Sequence, residues 1–233
     1  MGNHCLYCQS TIKEIITWKG LFRSEPQYLC RECHKGLQPI EGQRCSHCSR
    51  SLEKLPEELK KDEWCLDCYR WEEEPSWKGI LQKNTSLLEY NDFLKEYLAR
   101  YKYRGDYILA KAFGTQLTNH LKPLQFDHII PIPLSNERQY ERGFNQSAAL
   151  LEEAGISLSH LLTKSHSEKQ SKKSRQERLQ QKQIFTLIDE NLTGQSILLF
   201  DDIYTTGTTL RQAAKLLKAA GAERVTSLTL ARG

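Results

Sequence analysis

The sequence feature that most constrains the fold is a run of residues, 197–210, near the carboxyl end of the chain. Residues 197–200 are all apolar and predict a strand buried on both faces, as at the centre of a parallel sheet. Asp201 and Asp202 come next, and residues 205–209 are all threonine or glycine. Apolar residues at helical spacing begin at Leu210 and end before Gly221, a typical helix stop. The order strand, acidic pair, small hydroxylated loop and helix predicts an α/β fold.

A small hydroxylated loop at the start of a helix is suited to binding phosphate. Its backbone N–H groups and the positive end of the helix dipole attract anions, and threonine hydroxyls donate hydrogen bonds. Adjacent carboxylates at the end of a strand can accept hydrogen bonds from a sugar diol or hold Mg²⁺. The alternative is a plain strand-to-helix turn with solvated aspartates. The predicted binding residues are Asp201, Asp202, Thr205, Thr206, Gly207, Thr208 and Thr209.

All the cysteines lie in the first 68 residues, as four Cys-x-x-Cys pairs. In a reducing compartment such pairs indicate metal rather than disulfides, and two pairs supply the four sulfurs of one tetrahedral Zn²⁺. We therefore predict two structural Zn²⁺ per chain. Sequential pairing is favoured because it closes shorter loops, and a cross-brace joining the first pair to the third stays open. The predicted ligands are Cys5, Cys8, Cys30, Cys33, Cys45, Cys48, Cys65 and Cys68, with His4, His34 and His47 as neighbours that eight thiols make unnecessary.

The cysteine-rich part has too few periodic apolar positions for a core of its own, so we expect metal to organise it. The acidic stretch 72–74, followed by Pro75, marks a candidate boundary. For a chain of 233 residues, the natural division is a double zinc-ribbon domain at residues 1–74 and an α/β domain at residues 75–233. Three tryptophans near the last cysteine pair are expected to pack the two domains together, with base stacking as the alternative. They are Trp64, Trp71 and Trp77.

Beyond residue 75 the sequence alternates between strand and helix patterns. Apolar runs predict strands at residues 86–90, 127–133, 196–201 and 225–231, with a further short strand at 184–187. Helical spacing predicts helices from residue 91 or 92, from about residue 108, and over 145–154. This alternation is typical of a parallel sheet with helices on both faces.

Charge is concentrated in one segment of the chain. The net charge of +4 at pH 7 is too small to indicate nucleic-acid binding by itself. Within residues 164–182, however, seven basic residues against two acidic ones leave +5. Such a segment could close over a bound pyrophosphate or follow a nucleic-acid backbone, and a solvated basic flap is the alternative. The nucleic-acid-binding candidates are Lys172, Lys173, Arg175 and Arg178, and Lys102 and Arg104 could add charge to the same face.

Two arginines follow the strand predicted at residues 127–133. Arg138 and Arg142 lie one helical turn apart, and Gly143 can relieve the backbone before the next helix. Arginine forks at the carboxyl end of a strand are suited to clamping a pyrophosphate, although two solvated surface arginines would look the same in the sequence.

The sequence also indicates where the protein resides. No run of about 18 apolar residues exists, and the first residues lack an apolar signal segment. We therefore expect a soluble, cytoplasmic protein without a transmembrane segment.

Residues 197–210 resemble the phosphoribosyl-pyrophosphate (PRPP) loop of type I phosphoribosyltransferases. In that family the acidic pair binds the ribose hydroxyls and the Thr/Gly loop wraps the 5′-phosphate. The resemblance thus implies the first role for Asp201 and Asp202, and the second for residues 205–209.

The whole chain resembles the ComF family, specifically ComFC-like competence proteins. The resemblance rests on residues 142–146 (Arg-Gly-Phe-Asn-Gln), residues 102–106 (Lys-Tyr-Arg-Gly-Asp), the four cysteine pairs and the loop at 201–209. It implies a type I phosphoribosyltransferase fold behind a zinc-binding domain, acting in uptake of single-stranded DNA beside a helicase-like competence ATPase. It also assigns the pyrophosphate loop to residues 133–138.

Two functions stay open at this point. The first is a natural-transformation factor that handles incoming single-stranded DNA and binds PRPP or another nucleotide phosphate. The second is a phosphoribosyltransferase that transfers phosphoribose from PRPP to a nitrogen base, with Mg²⁺ on the diphosphate and Asp201 and Asp202 as catalytic residues. A redox or purely structural zinc protein would leave the acidic pair and its loop without a purpose.

Overall fold

The fold is described from a computed structural model of the chain, for residues 4–12, 26–164, 184–188 and 191–233. Its centre is a four-stranded sheet in which all neighbouring strands are parallel. Helices cover both faces, so the predicted α/β architecture is confirmed.

In chain order, the strands are β1 (Lys60–Lys61), β2 (Trp64–Cys65), β3 (Asn84–Glu89), β4 (His128–Pro131), β5 (Leu162–Lys164), β6 (Phe185–Leu187), β7 (Ser196–Tyr204) and β8 (Arg224–Arg232). The helices are α1 (Arg31–Gly36), α2 (Leu66–Glu73), α3 (Asp92–Tyr103), α4 (Gly114–Leu121), α5 (Asn136–Arg142), α6 (Gln146–Glu153) and α7 (Thr208–Ala219), with 3₁₀ turns at Glu57–Leu59 and Tyr107–Phe113. The central sheet has the order β3-β8-β7-β4, while β1 pairs with β2 and β5 with β6 in antiparallel fashion.

Local side chains explain where several helices begin and end. The Asn91 side chain accepts a hydrogen bond from the Leu94 backbone N–H at 2.9 Å and so caps α3. Asn145 caps α6 in the same way. Gly143 ends α5 with φ of 77°, a left-handed conformation that glycine adopts without strain. The glycine between the two helices therefore has the role predicted for it.

Two predicted elements differ from the structure. The helix expected from about residue 108 begins as a 3₁₀ turn and becomes α-helical only at Gly114, which leaves Ile108 46% exposed. The central strand was expected to end at Asp201, but β7 continues to Tyr204 because its pairing with β8 continues to Arg232. Both aspartates are therefore held in regular strand backbone.

The two faces of the sheet are buried in separate apolar clusters. Leu198 and Phe200 of β7 face the cluster that includes residues of α3, α4 and α6. Ile197 and Leu199 face the cluster that includes residues of α7. A strand that is apolar on both faces is what the run at residues 197–200 predicted.

The cysteine-rich segment reaches both faces of this sheet. Cys5 and Cys33 belong to the cluster on the α3 side, whereas all cysteines from residues 45–68 belong to the cluster on the α7 side. Between them the chain runs along edge strand β3, where Ile40 N–H donates to Leu87 at 3.1 Å and Glu89 N–H donates to Gln38 at 2.8 Å. The segment therefore covers a sheet edge that would otherwise expose unpaired backbone groups.

In the ranges described above, none of the helices combines the length and the apolar character that crossing a bilayer requires.

Candidate functional site

The acidic pair lies at the carboxyl end of β7, held by residues from two helices. The Ser147 hydroxyl at the start of α6 donates to Asp201 Oδ1 at 3.0 Å, and the Asp202 backbone N–H donates to the same oxygen at 2.9 Å. Asp202 forms an ion pair with Lys102 near the end of α3, and both side chains are mostly buried. Lys102 thus offsets one of two neighbouring negative charges.

The environment of Asp201 favours its protonated form. Burial, followed by the neighbouring charge of Asp202, raises its pKa to about 7, although the hydrogen bonds and Lys102 act in the opposite direction. A carboxyl group whose pKa lies near 7 loses its proton readily when a cation binds beside it. The pair is therefore suited to binding Mg²⁺ or a hydroxyl donor.

Two arginines of α5 and the carboxyl group of Asp201 act electrostatically on Lys164 of β5. Burial lowers the pKa of Lys164, and the charge of Arg138 lowers it further. Arg142 acts in the same direction and Asp201 in the opposite one, so these four groups share one electrostatic site. Arg142 also donates to Gln146 Oε1 at 2.7 Å, and its guanidinium lies 5.4 Å from the centre of the Tyr103 ring. A cluster of cations beside acidic groups matches an anion that carries a sugar or a metal ion.

The Thr/Gly loop connects β7 directly to α7. Gly207 is buried and has φ of 79°, and a Cβ at this position would lie 2.1 Å from the Tyr204 hydroxyl. Only glycine fits there. The hydroxyl oxygens of Thr206 and Thr208 lie 2.9 Å apart, and Thr205 and Thr206 are exposed. The amino end of a twelve-residue helix thus opens at the loop, as phosphate binding requires.

The cysteines form two groups that could each hold a metal ion. One group is Cys5, Cys8, Cys30 and Cys33, the other is Cys45, Cys48, Cys65 and Cys68, and within each group the sulfurs lie within 4.8 Å of one another. This is the sequential arrangement, not the cross-brace. Among the described residues neither group includes a histidine.

The two cysteine groups are built in the same way. In each, the first pair lies in a turn that ends in a residue with positive φ, Gln9 (63°) or Ser49 (64°). The second pair begins a helix, with Cys30 capping α1 and Cys65 capping α2. The first pairs are 40 residues apart and the second pairs 35, so this repeat is visible in the sequence.

The donors fit a tetrahedral metal such as Zn²⁺. The sulfurs of Cys8 and Cys30 lie 3.7 Å apart and those of Cys48 and Cys65 lie 3.6 Å apart. Zn–S bonds of about 2.3 Å imply sulfur–sulfur separations of about 3.8 Å. A hydrogen bond with Ser10 lowers the pKa of Cys8 to about 6, which favours the thiolate that binds metal.

The structure brings together most of the site residues predicted from sequence. Arg138, Arg142 and Asp201 all act on Lys164, and the Thr/Gly loop begins three residues after Asp202. Lys172, Lys173, Arg175 and Arg178 lie outside the described residues. The sequence predicts for Lys102 only a possible place on a basic face and does not distinguish Ser147, because neither residue lies near Asp201 in the chain.

The three tryptophans contact two different parts of the chain. The Trp71 Nε1–H donates to the Thr206 carbonyl at 3.0 Å, so this residue packs against the α/β part as expected. Trp77 contacts Trp71 edge-to-face, with ring centres 5.2 Å apart. Trp64 instead contacts His47, with ring centres 4.2 Å apart, inside the cysteine-rich segment.

Comparison with known proteins identifies the family of the chain. Residues 140–233, which contain α6, the acidic pair and the Thr/Gly loop, match the phosphoribosyl transferase domain family. Competence protein ComFC of Bacillus subtilis is 38% identical over 233 residues, covering 98% of this chain and 94% of that protein. The chain belongs to the ComFC family. It therefore combines the two cysteine groups with a phosphoribosyltransferase-like fold.

Two further comparisons differ in what they add. ComFC of Streptococcus pneumoniae is 35% identical over 230 residues, covering 98% of this chain and 99% of that protein, so the ComFC relationship extends over the full length. A solved hypoxanthine phosphoribosyltransferase of Staphylococcus aureus has 18% identity and a TM-score of 0.32, covering 56% of this chain and 65% of that one. A similarity this low adds nothing to the argument.

Proposed function

We propose that this protein handles single-stranded DNA during DNA uptake in natural transformation, and that the site at the end of β7 binds PRPP or another nucleotide phosphate. One observation carries the proposal of the pocket: the charges of Arg138, Arg142 and Asp201 all act on Lys164, and the Thr/Gly loop begins three residues after Asp202. The competence role is supported by the ComFC relatives.

We assign a part of PRPP to each group of residues. Asp201 and Asp202 accept hydrogen bonds from the ribose hydroxyls, and the loop at residues 205–209 with the amino end of α7 takes the 5′-phosphate. Arg138, Arg142 and Lys164 take the pyrophosphate, where each guanidinium fork donates paired hydrogen bonds to phosphate oxygens. When bound, Mg²⁺ would neutralise the diphosphate charge. Because Lys102 already pairs with Asp202, the other cations remain available for the anion.

A second candidate function is transfer of phosphoribose from PRPP to a nitrogen base. The match of residues 140–233 to the phosphoribosyl transferase domain favours it. The measurement that distinguishes the two functions is release of pyrophosphate from PRPP in the presence of Mg²⁺, assayed with each base in turn. Release that depends on an added base would establish turnover, and binding without release would leave the pocket as a binding site.

We expect the purified protein to contain two Zn²⁺ per chain, each bound by four sulfurs. Two groups of four cysteines with suitable separations support this expectation. Elemental analysis of protein purified without chelator gives the count, and X-ray absorption at the zinc edge gives the donor atoms. One zinc or none, or nitrogen donors in the first coordination sphere, would contradict it.

We expect single-stranded DNA to bind through the basic segment at residues 164–182, in the cytoplasm and beside a helicase-like competence ATPase. If about four phosphates are contacted, the logarithm of affinity falls with the logarithm of salt concentration at a slope near −3, from about −0.7 per phosphate. Changing Lys172, Lys173, Arg175 and Arg178 to serine should flatten this slope and weaken binding to all sequences alike, because backbone contacts carry no sequence information.

Fluorescence anisotropy with labelled oligonucleotides at several salt concentrations measures both effects. A matched control replaces four exposed lysines elsewhere, and its DNA affinity should keep the wild-type dependence on salt concentration. These lysines are Lys78, Lys83, Lys95 and Lys122. Equal DNA binding by the wild type and the segment variant would remove residues 164–182 from the proposal. In both variants, zinc content and PRPP binding by calorimetry report whether the rest of the protein is intact.

A further inference from the structure

The second cysteine group (Cys45, Cys48, Cys65 and Cys68) lies in the same apolar cluster as the helix that follows the Thr/Gly loop. Helix α2 carries two of its cysteines, with Cys65 as the N-cap and Cys68 in the first turn. The same helix continues to Glu73 and brings its last turns to the loop. Three separate contacts then connect this cysteine group to the loop.

The first contact is a hydrogen bond to the loop backbone. Trp71, one turn beyond Cys68, donates from its indole Nε1–H to the Thr206 carbonyl at 3.0 Å. Thr206 is otherwise exposed, in the middle of the loop. The position of this carbonyl therefore depends on the position of α2.

The second contact is a buried ion pair at the start of α7. Arg211 is 1% exposed, and its Nη1 donates to Glu72 Oε1 at 3.1 Å, while its guanidinium lies 5.1 Å from the centre of the Trp71 ring. The second oxygen of Glu72 accepts from the Gly79 backbone N–H at 2.8 Å. A charge buried this deeply requires its partner, so the first turn of α7 is anchored to α2.

The third contact links a cysteine sulfur to the residue before the loop. Arg232 Nε–H donates to Cys48 Sγ at 3.3 Å, and Nη1–H of the same guanidinium donates to the Tyr204 carbonyl at 3.1 Å. The guanidinium also lies 4.9 Å from the centre of the Tyr204 ring. The Tyr204 hydroxyl in turn lies so close to Gly207 that it leaves no room for a side chain at that position.

The first cysteine group is connected differently. Tyr7 stacks on Tyr97 of α3 with ring centres 5.2 Å apart, and its carbonyl accepts from Arg100 at 2.6 Å. These contacts anchor the first group to α3, on the opposite face of the sheet. The two groups therefore have different neighbours although they are built alike.

We propose that the second four-cysteine site positions the Thr/Gly loop, so that metal bound there sets the affinity of the loop for phosphate. This inference rests on the proposed function of the loop. Cys65 and Cys68 would hold a metal ion at the amino end of α2 and so fix its position, and Trp71, Glu72 and Arg232 transmit that position to the middle of the loop, to the start of α7 and to Tyr204. Trp71, Glu72, Arg211 and Arg232 are positioning residues that do not touch the ligand.

The test compares Trp71→Phe with the wild type. Phenylalanine keeps an aromatic ring for Arg211 but cannot donate to Thr206, so PRPP binding with Mg²⁺ should weaken about twofold to thirtyfold, the range for residues that act through others. Amide hydrogen exchange at residues 205–209 should become faster without ligand. Zinc content and melting temperature should stay at wild-type values, because only one exposed-loop hydrogen bond is lost.

A matched control is Arg50→Gln. The substitution removes the ion pair between Arg50 and Asp67 of α2, in which Nη1 and Oδ2 lie 2.8 Å apart. Neither residue belongs to the Thr/Gly loop. This variant should bind PRPP as the wild type does and leave exchange at residues 205–209 unchanged. Glu72→Gln is a second variant on the loop side and should accelerate exchange at the start of α7.

The outcomes separate this inference from the proposed function. If Trp71→Phe binds PRPP as tightly as the wild type and its loop exchanges at the wild-type rate, the inference is overturned. If the wild type binds no PRPP, the proposed pocket fails, and the exchange rates alone decide the inference. Faster loop exchange in Trp71→Phe but not in Arg50→Gln would still support it, and equal rates would overturn it.

Discussion

Replacing both Asp201 and Asp202 by asparagine is expected to weaken PRPP binding by about 2–4 kcal/mol, since hydrogen bonds to charged groups contribute about 1.5–3 kcal/mol each. Asparagine side chains have nearly the size of aspartate side chains, but they lack the charge that holds ribose hydroxyls and Mg²⁺. The variant also leaves Lys102 without its ion-pair partner, which frees a cation beside the site. Isothermal titration calorimetry with PRPP and Mg²⁺ gives the affinity directly.

A carboxylate that contacts the opposite end of β7 provides the matched control. Asp127 Oδ2 accepts from the Ser196 backbone N–H at 2.7 Å, at the start of β7. Asp127→Asn should therefore leave PRPP affinity unchanged while removing a carboxylate that also contacts this strand. If the Asp201/Asp202 variant binds as tightly as the wild type, the acidic pair is structural.

The pH dependence of the same titration gives an independent check. The pKa of Asp201 is raised to about 7 by burial and by the charge of Asp202, whereas the usual value for aspartate is about 3.9. The folded protein thus holds this proton more tightly than the unfolded chain, and its contribution to stability is lost as the pH rises through about 7. A bound cation favours the ionised form of Asp201. The affinity for PRPP in the presence of Mg²⁺ should therefore increase as the pH rises through about 7. The increase should be absent in Asp201→Asn.

Replacing Cys65 by serine is expected to remove one of two metal ions and to lower the free energy of unfolding by on the order of 5 kcal/mol. Structural zinc sites contribute about 10–16 kcal/mol of apparent binding free energy, and part of this should survive through the remaining contacts. The effect should spread beyond the cysteine-rich segment, because Cys65 is fully buried in a cluster with β7 and α7. Denaturant unfolding and zinc analysis measure the two losses, and hydrogen exchange locates them.

Cys8→Ser provides the comparison at the first cysteine group. Its side chain is exposed, and its group packs against α3 rather than α7. This variant should lose the other metal ion and increase exchange in α3, while α7 keeps its protection. Equal loss of protection in α7 from both variants would contradict the division of the two groups between opposite faces.

Part of the candidate site was predictable because its residues are neighbours in the chain. The acidic pair, the Thr/Gly loop and the start of α7 lie within residues 201–211, and local rules for strands, glycine and helix ends apply to them directly. The eight cysteines were predictable for a different reason. Their spacing allows only a few groupings, and loop-closure entropy favoured the sequential arrangement that the structure shows.

The partners of these residues were not predictable from sequence. Lys102 pairs with Asp202 across 100 positions of the chain, and Ser147 reaches Asp201 from the start of α6. Nothing local to a lysine in the sequence tells an exposed charge from one that offsets a buried carboxylate. The same holds for Arg211, which follows the helical pattern of α7 but is buried against Glu72.

The sequence by itself determined the strand, acidic pair, loop and helix, and the presence of two sets of thiols that could each hold a metal ion. Only the tertiary structure decided that the two sets lie on opposite faces of one sheet, and that the second contacts the Thr/Gly loop through Trp71, Glu72 and Arg232. The physical reason is the range of the interactions. Backbone geometry and chelation by close pairs act over a few residues, whereas ion pairs and packing join residues that only the folded sheet brings together.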